Sequence, residues 1–296
     1  MNILTISNVV KNYDKHIAVN NVSLSVPKGS IFGLLGPNGA GKTSLIRMIT
    51  TITRPDSGTI LFADEPLNEQ HPERIGYMPE ERGLYKKMKV GEQLLYLAQL
   101  KGMTEADAEK RLKMWFENFG IQTWWDKKVE ELSKGMQQKA QFIATVLHEP
   151  ELLILDEPFS GLDPLNANLI KDEIYEMQQR GTSIIFSTHR MEQVEEICNH
   201  IVLIDKGKNV LEGNVQEVRN RFKENIFSIK YTGSAPENIT NIATVQTQKP
   251  NEMTLQLREG NVSNQILMAF LDNKNTVISF QEILPTLNEI FIQQVS

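Results

Sequence analysis

The stretch ELLILDEPFSGLDP, residues 151–164, runs an unbroken apolar segment into two adjacent carboxylates, Asp156 and Glu157. An apolar run with no polar alternation reads as a strand buried on both faces, the pattern of a parallel sheet. Burying a lone carboxylate at its end is costly, so something positive must sit opposite. The segment GPNGAGKT, residues 36–43, supplies it. It matches G-x-x-x-x-G-K-[ST] and lies between an apolar strand ending at Leu35 and a helix expected over 42–52, the context a phosphate loop needs. Its glycines let backbone N–H groups wrap phosphate, and the helix N-terminus adds partial positive charge. Lys42 can reach the β- and γ-phosphates of a nucleotide, and the Thr43 hydroxyl can ligate Mg2+. If the strand of residues 152–155 lies beside that of residues 31–35 in a parallel sheet, Asp156 points at the same ion.

Composition narrows the rest. A chain of 296 residues, 40% hydrophobic, has room for one large α/β domain and a small second one. Its 37 acidic against 31 basic residues leave a net charge of −6, which lacks the basic footprint of a nucleic-acid binder, so no nucleic-acid partner is expected. The single cysteine, Cys198, cannot form an internal disulfide. No 18-residue apolar stretch or signal region is visible, so the expectation is a soluble, cytosolic chain that could still dock on something in a membrane.

Along the chain, residues 1–36 alternate as antiparallel strands, and a further strand is expected over 58–63. Residues 90–148 turn helical in periodicity, and α/β alternation then resumes with strands at 152–155, 182–187 and 200–205. From residue 222 the composition shifts to Asn, Thr and Ser around strand-like IFSIKY and MTLQLRE and helical NQILMAFLD. The expected domains are therefore 1–221, with a helical subdomain over about 90–148, and a small α+β domain over 222–296. His16, His71, His148 and His200 have no motif around them and take a structural reading. Lys127, Lys128 and the YKKMK run at 85–89 read as solvated or docking charges.

A phosphate loop followed by a strand ending in Asp is common to many nucleotide-binding classes, kinases and small GTPases among them. LSKGMQQK, residues 132–139, distinguishes this chain. It resembles the signature motif of the ATP-binding cassette family, and the resemblance runs through at least residues 1–215. Ser133 is also well suited as an N-cap for the helix that follows. Gly135 keeps the family's usual second glycine, while Lys134 and Met136 replace a glycine and a glutamine as in a subgroup of prokaryotic exporters. SGLD, residues 160–163, is similar to the family's interface loop with Asp163 as its acid, and FSTHR places His189 where the family has its switch histidine. Tyr13 falls where the family stacks an aromatic on adenine. Glu80, in IGYMPEERGLY, stands where the family usually has a metal-contacting glutamine, against the plainer reading of an ion pair with Arg82 or contact with solvent.

The resemblance implies an α/β phosphate-loop cassette with an antiparallel β subdomain, a helical subdomain and an accessory α+β domain. It implies Mg2+–ATP held by Gly36, Pro37, Asn38, Gly39, Ala40, Gly41, Lys42, Thr43 and Ser44, with Asp156, Thr43 and Glu80 at the metal. Glu157 would activate water, His189 would orient it, and Ser133 and Gly135 would act on ATP held by a second cassette in a head-to-tail dimer. A separately encoded membrane permease is the implied partner. LPTLNEIFI at 284–292 and the region before it resemble the tail of ABC-2 exporters, including sodium-extrusion and drug-export ATPases. A soluble relative acting on ribosomes or DNA is the competing reading, without the tandem cassette or coiled coil such proteins carry.

Overall fold

Alternating apolar residues pair the N-terminal segment into a hairpin that precedes the first helix along the chain. In the computed structural model, which describes residues 1–14, 16–81 and 83–295, the chain divides into two units, Met1–Asn214 and Val215–Ser296. The first runs β1 (Asn2–Tyr13), β2 (His16–Pro27), β3 (Ile31–Leu35), α1 (Lys42–Ile49), β4 (Ser57–Phe62), β5 (Glu65–Pro66) and β6 (Ile75–Met78). Helices α2 (Val90–Leu100), α3 (Glu105–Asn118) and α4 (Lys134–Val146) follow. Then come β7 (Leu152–Asp156), α5 (Pro164–Gln179), β8 (Ser183–Thr188), α6 (Met191–Ile197), β9 (His200–Asp205) and β10 (Lys208–Asn214).

Two sheets result. One is antiparallel, in the order β2-β1-β4-β5; the other has the order β10-β9-β3-β8-β7-β6 and is parallel except at β10. The strand of residues 152–156 therefore does not neighbour that of residues 31–35, as the sequence suggested: β8 lies between them. All six residues of β8 are buried, Ser183, Ser187 and Thr188 included, which suits a central strand better than an outer one. The carboxyl ends of β3, β8, β7 and β6 open on the same side, where parallel α/β sheets bind ligands. Between residues 90 and 148 the chain is helical, with only an isolated Lys89–Lys128 bridge.

The second unit begins with α7 (Val215–Arg221), so the chain divides at 214/215 and not at 221/222. It continues with β11 (Ile226–Thr232), α8 (Ile239–Ile242), β12 (Ala243–Lys249), β13 (Glu252–Leu257), α9 (Ser263–Asp272), β14 (Thr276–Ile283) and α10 (Leu287–Val295). Its sheet has the order β12-β13-β11-β14 and packs a core of its own around Ile229, Leu255, Ile266 and Phe270. Among the described residues no helix is long and apolar enough to cross a membrane.

The packing of β8 is a test of this order. Phe186 is fully buried, with its ring 5.5 Å from that of Phe159 just beyond β7. Truncating a buried phenylalanine typically costs about 3–5 kcal/mol. Phe186→Ala is expected to lower the unfolding free energy of the first unit, read from urea titration, by that amount, whereas a solvent-facing residue there would lose under about 0.5 kcal/mol.

Candidate nucleotide site

The phosphate loop is held open by two glycines that admit no side chain. Gly36 has φ 148° and a Cβ there would meet Ile204 O at 2.1 Å; Gly41 has φ 109° and a Cβ would meet Ala18 O at 2.3 Å. Any other residue at either position clashes with backbone, which cannot move aside. Pro37 follows Gly36, and Asn38, Gly39, Ala40, Gly41, Lys42, Thr43 and Ser44 line a cavity of about 390 Å3 at the start of α1. The first amides of α1 have no partner within the helix, so they point partial positive charge into this space. Lys42 donates to Gly36 O at 2.6 Å and Pro37 O at 3.1 Å. Burial pulls its ammonium below the usual lysine range, and Asp156, Glu157 and Glu80 pull it back up.

Facing the loop across the same cavity stand Glu80, Asp156 and Glu157. Asp156 is 6% exposed and accepts from Ser187 Oγ at 2.7 Å. Burial raises its carboxyl above the ordinary range, opposed by Ser187 and Lys42. Glu157, with φ 50°, sits in the left-handed region that a non-glycine residue occupies only when its surroundings force it. Those surroundings are specific: Glu157 N donates to Ser187 O at 2.9 Å, and Oε2 accepts from Thr188 Oγ1 at 3.0 Å. Oε1 accepts from His189 N at 2.9 Å and lies 2.6 Å from His189 Nδ1. An ionised carboxylate only accepts, so Nδ1 carries the proton and Nε2 is the nitrogen left for a ligand. Glu80 is exposed at the rim, two residues past β6. Its suggested partner Arg82 lies outside the described residues.

Tyr13 and His16 close the remaining side as a register pair at the end of the β1–β2 hairpin. His16 therefore belongs to this cavity, although nothing around it in the sequence marked it. Of the other histidines, His71 is buried against Phe62 at 5.1 Å and accepts from Asn68 N at 3.0 Å. Burial pulls His148 down to about 4. Ser187 and Thr188 also escaped notice, because a hydroxyl inside an apolar strand looks like β-propensity until its carboxylate partner is known.

Ser133, Gly135 and Asp163 are not brought to this cavity. They line a second one of about 480 Å3, with Trp124, Lys134, Met136, Lys139, Gly161 and Asn166. Ser133 caps α4, accepting from Met136 N at 3.3 Å, and Asp163 caps α5, accepting from Asn166 N at 3.0 Å. The first unit thus carries a phosphate loop with carboxylates in one place and a capped, anion-ready helix start in another.

Residues 19–160 match the ABC transporter family, and residues 213–295 match the C-terminal domain of DrrA1-3-like ATP-binding proteins. The chain is 44% identical over 293 residues to an uncharacterized ABC transporter ATP-binding protein, YhaQ, of Bacillus subtilis, covering 99% of this chain and 98% of the relative. It is 36% identical over 219 residues to Nod factor export ATP-binding protein I of Cupriavidus metallidurans, covering 73% and 72% respectively. The solved ATP-binding subunit of an ABC transporter aligns with TM-score 0.70 and 30% identity over 74% of this chain and 93% of that one. Fold and family together define a phosphate-loop ATPase of the cassette type. The chain belongs to the ATP-binding proteins of the ABC transporter family.

The desolvation of Asp156 has a measurable sign. A carboxyl with a folded pKa above its unfolded one binds its proton more tightly when folded, so stability falls as pH rises from the ordinary value of 3.8 through the raised one. Above the raised value the cost is complete. Asp156→Asn, which keeps the acceptor for Ser187, is expected to raise the melting temperature of the nucleotide-free chain at pH 7, with the gap closing in acid. Differential scanning fluorimetry across pH reads this directly, and an unchanged or lower midpoint at pH 7 contradicts it.

Proposed function

We propose that this chain hydrolyses ATP to power export of a substrate through a separately encoded membrane-spanning partner, working as one of two cassettes in a head-to-tail dimer. The observation that carries the reading is the convergence of Lys42 with Asp156 and Glu157, the latter locked to His189, in a single cavity. Lys42 and the loop amides bind the β- and γ-phosphates, and Tyr13 lies against the base. Three carboxylates against one lysine favour a divalent cation. Mg2+ would be held by Asp156, Thr43 and Glu80 and would neutralise phosphate charge. Glu157 polarises the attacking water and His189 Nε2 orients the γ-phosphate end.

The separation of Ser133, Gly135 and Asp163 from the phosphate loop supports the dimer, because each cassette then offers its α4 start to the γ-phosphate held by the other. A groove of about 330 Å3, lined by Tyr77, Pro79, Leu84, Leu97, Leu100 and Gln141 among others, supports a docking role for the helical block. Ile52 and Leu100 on its walls are 60% and 61% exposed, and the buried Oε1 of Gln141 has no hydrogen-bond partner among the described residues. An apolar segment fits these exposed walls. We assign that segment to the permease, which would hold the chain at the cytoplasmic face of the membrane. The export direction is supported by the DrrA-like C-terminal unit and the Nod factor export relative. The net charge of −6 supports a protein partner over ribosome or DNA.

Glu157→Gln tests the reading. The variant is expected to bind ATP with unchanged affinity and to lose roughly 10²- to 10⁴-fold in turnover, the usual worth of a general base. It should accumulate an ATP-dependent dimer on size exclusion. Hydrolysis near the parent rate overturns the assignment of Glu157.

A further inference from the structure

Two glutamines on α4, three residues apart and therefore on one face, are buried where a glutamine is expensive. Gln138 is 1% exposed and its Nε2 donates to Pro158 O at 3.0 Å. Gln141 is 4% exposed and its Nε2 donates to Pro79 O at 2.9 Å. Because both acceptors are carbonyls, the amide end that meets them must be the NH2. Pro158 directly follows Glu157, and Pro79 directly precedes Glu80. The helix that starts at Ser133 thus reaches sideways to grip the two loops that bring these carboxylates to the phosphate loop.

The need for such a grip is visible in the backbone. Glu157 is left-handed, a conformation that costs a non-glycine residue about 1–2 kcal/mol and persists only where neighbours over-determine it. Its own N–H is tied to β8 on one side; the peptide that follows is tied to α4 by Gln138 on the other. Glu80, past the end of β6, has no strand partner to fix it, and the Gln141 bond is a tether immediately before it.

We propose that Gln138 and Gln141 are positioning residues for ATP hydrolysis, fastening the Glu157 and Glu80 loops to α4 so that the helix presenting Ser133 also sets both carboxylates. The inference rests on the catalytic reading of Glu157 above. It makes α4 a rigid link: a displacement of its capped end is passed to both loops through two amides. Neither glutamine lines the nucleotide cavity.

The test uses the full chain with Gln138→Met and Gln141→Met, which keep an unbranched side chain of similar size and remove the donor. Hydrogen–deuterium exchange should quicken roughly two- to tenfold, the loss of about one hydrogen bond, around 157–162 only in the first variant and around 79–84 only in the second. The KM for ATP should stay within about twofold while kcat falls at least about tenfold, since a misplacement of about 1 Å can cost up to about 10²-fold. Gln138→His, whose ring N–H reaches a similar distance, should recover part of kcat. Unchanged exchange in both loops overturns the proposal, as does a loss that falls equally on KM and kcat, or a general loosening of the sheet. Retained hydrolysis in Glu157→Gln would instead strike the catalytic reading, while the loop-specific exchange would still decide whether the glutamines hold those loops.

Discussion

The desolvation of Asp156 is the constraint around which the first unit is arranged. Bringing a carboxylate to 6% exposure at the end of an apolar strand is tolerable only with a hydroxyl from the next strand and a cation across the cavity. Ser187 supplies the hydroxyl, which requires β8 to be the immediate neighbour of β7. Lys42 supplies the cation, which requires β3 to be the next strand along. The strand order β3-β8-β7 and the chemistry of the site are thus one fact seen twice. Lys42 is itself desolvated, so each charge keeps the other from reverting to its neutral form.

Much of this was legible in the sequence because the deciding signals are local. A phosphate loop needs its glycines at fixed spacing, and Gly36 and Gly41 both clash with backbone when given a Cβ. The apolar runs of β3, β7 and β8 announce strands buried on both faces. The N-cap Ser133 is read from residue type and context, whereas the cap made by Asp163 was not. Strand order was not legible: residues 31–35 and 152–156 look alike to any neighbour, and only the pairing of Asp156 with Ser187 singles out the one between them. β12 and β14 were also faint, since both are edge strands whose largely polar, exposed residues erase the alternation.

The residues that escaped notice act through partners distant in sequence. His16 enters the nucleotide cavity because a hairpin folds it opposite Tyr13, and no spacing rule links it to residues 38–44. Thr188 is one of several polar residues in FSTHR, yet its hydroxyl reaches Glu157. Gln138 and Gln141 sit in a helix that reads as ordinary and amphipathic, and their amides matter only because of the carbonyls they meet. Motifs report where a ligand is gripped, whereas the groups that aim the gripping residues leave little trace in a single sequence.

The same contrast explains why the site is held so firmly on one side and so lightly on the other. Glu157 is fixed by bonds to β8 at its amide and carboxylate and by Gln138 just after it, so its strained backbone has few ways to relax. Glu80 has a short strand behind it, an exposed carboxylate, and the Gln141 amide as a tether. Gln141 also lines the apolar groove, so the side chain that holds the Glu80 loop borders the surface proposed for the permease. Both loops are thus tied to α4, the Glu157 loop with β8 as a second anchor and the Glu80 loop with the Gln141 amide just before it.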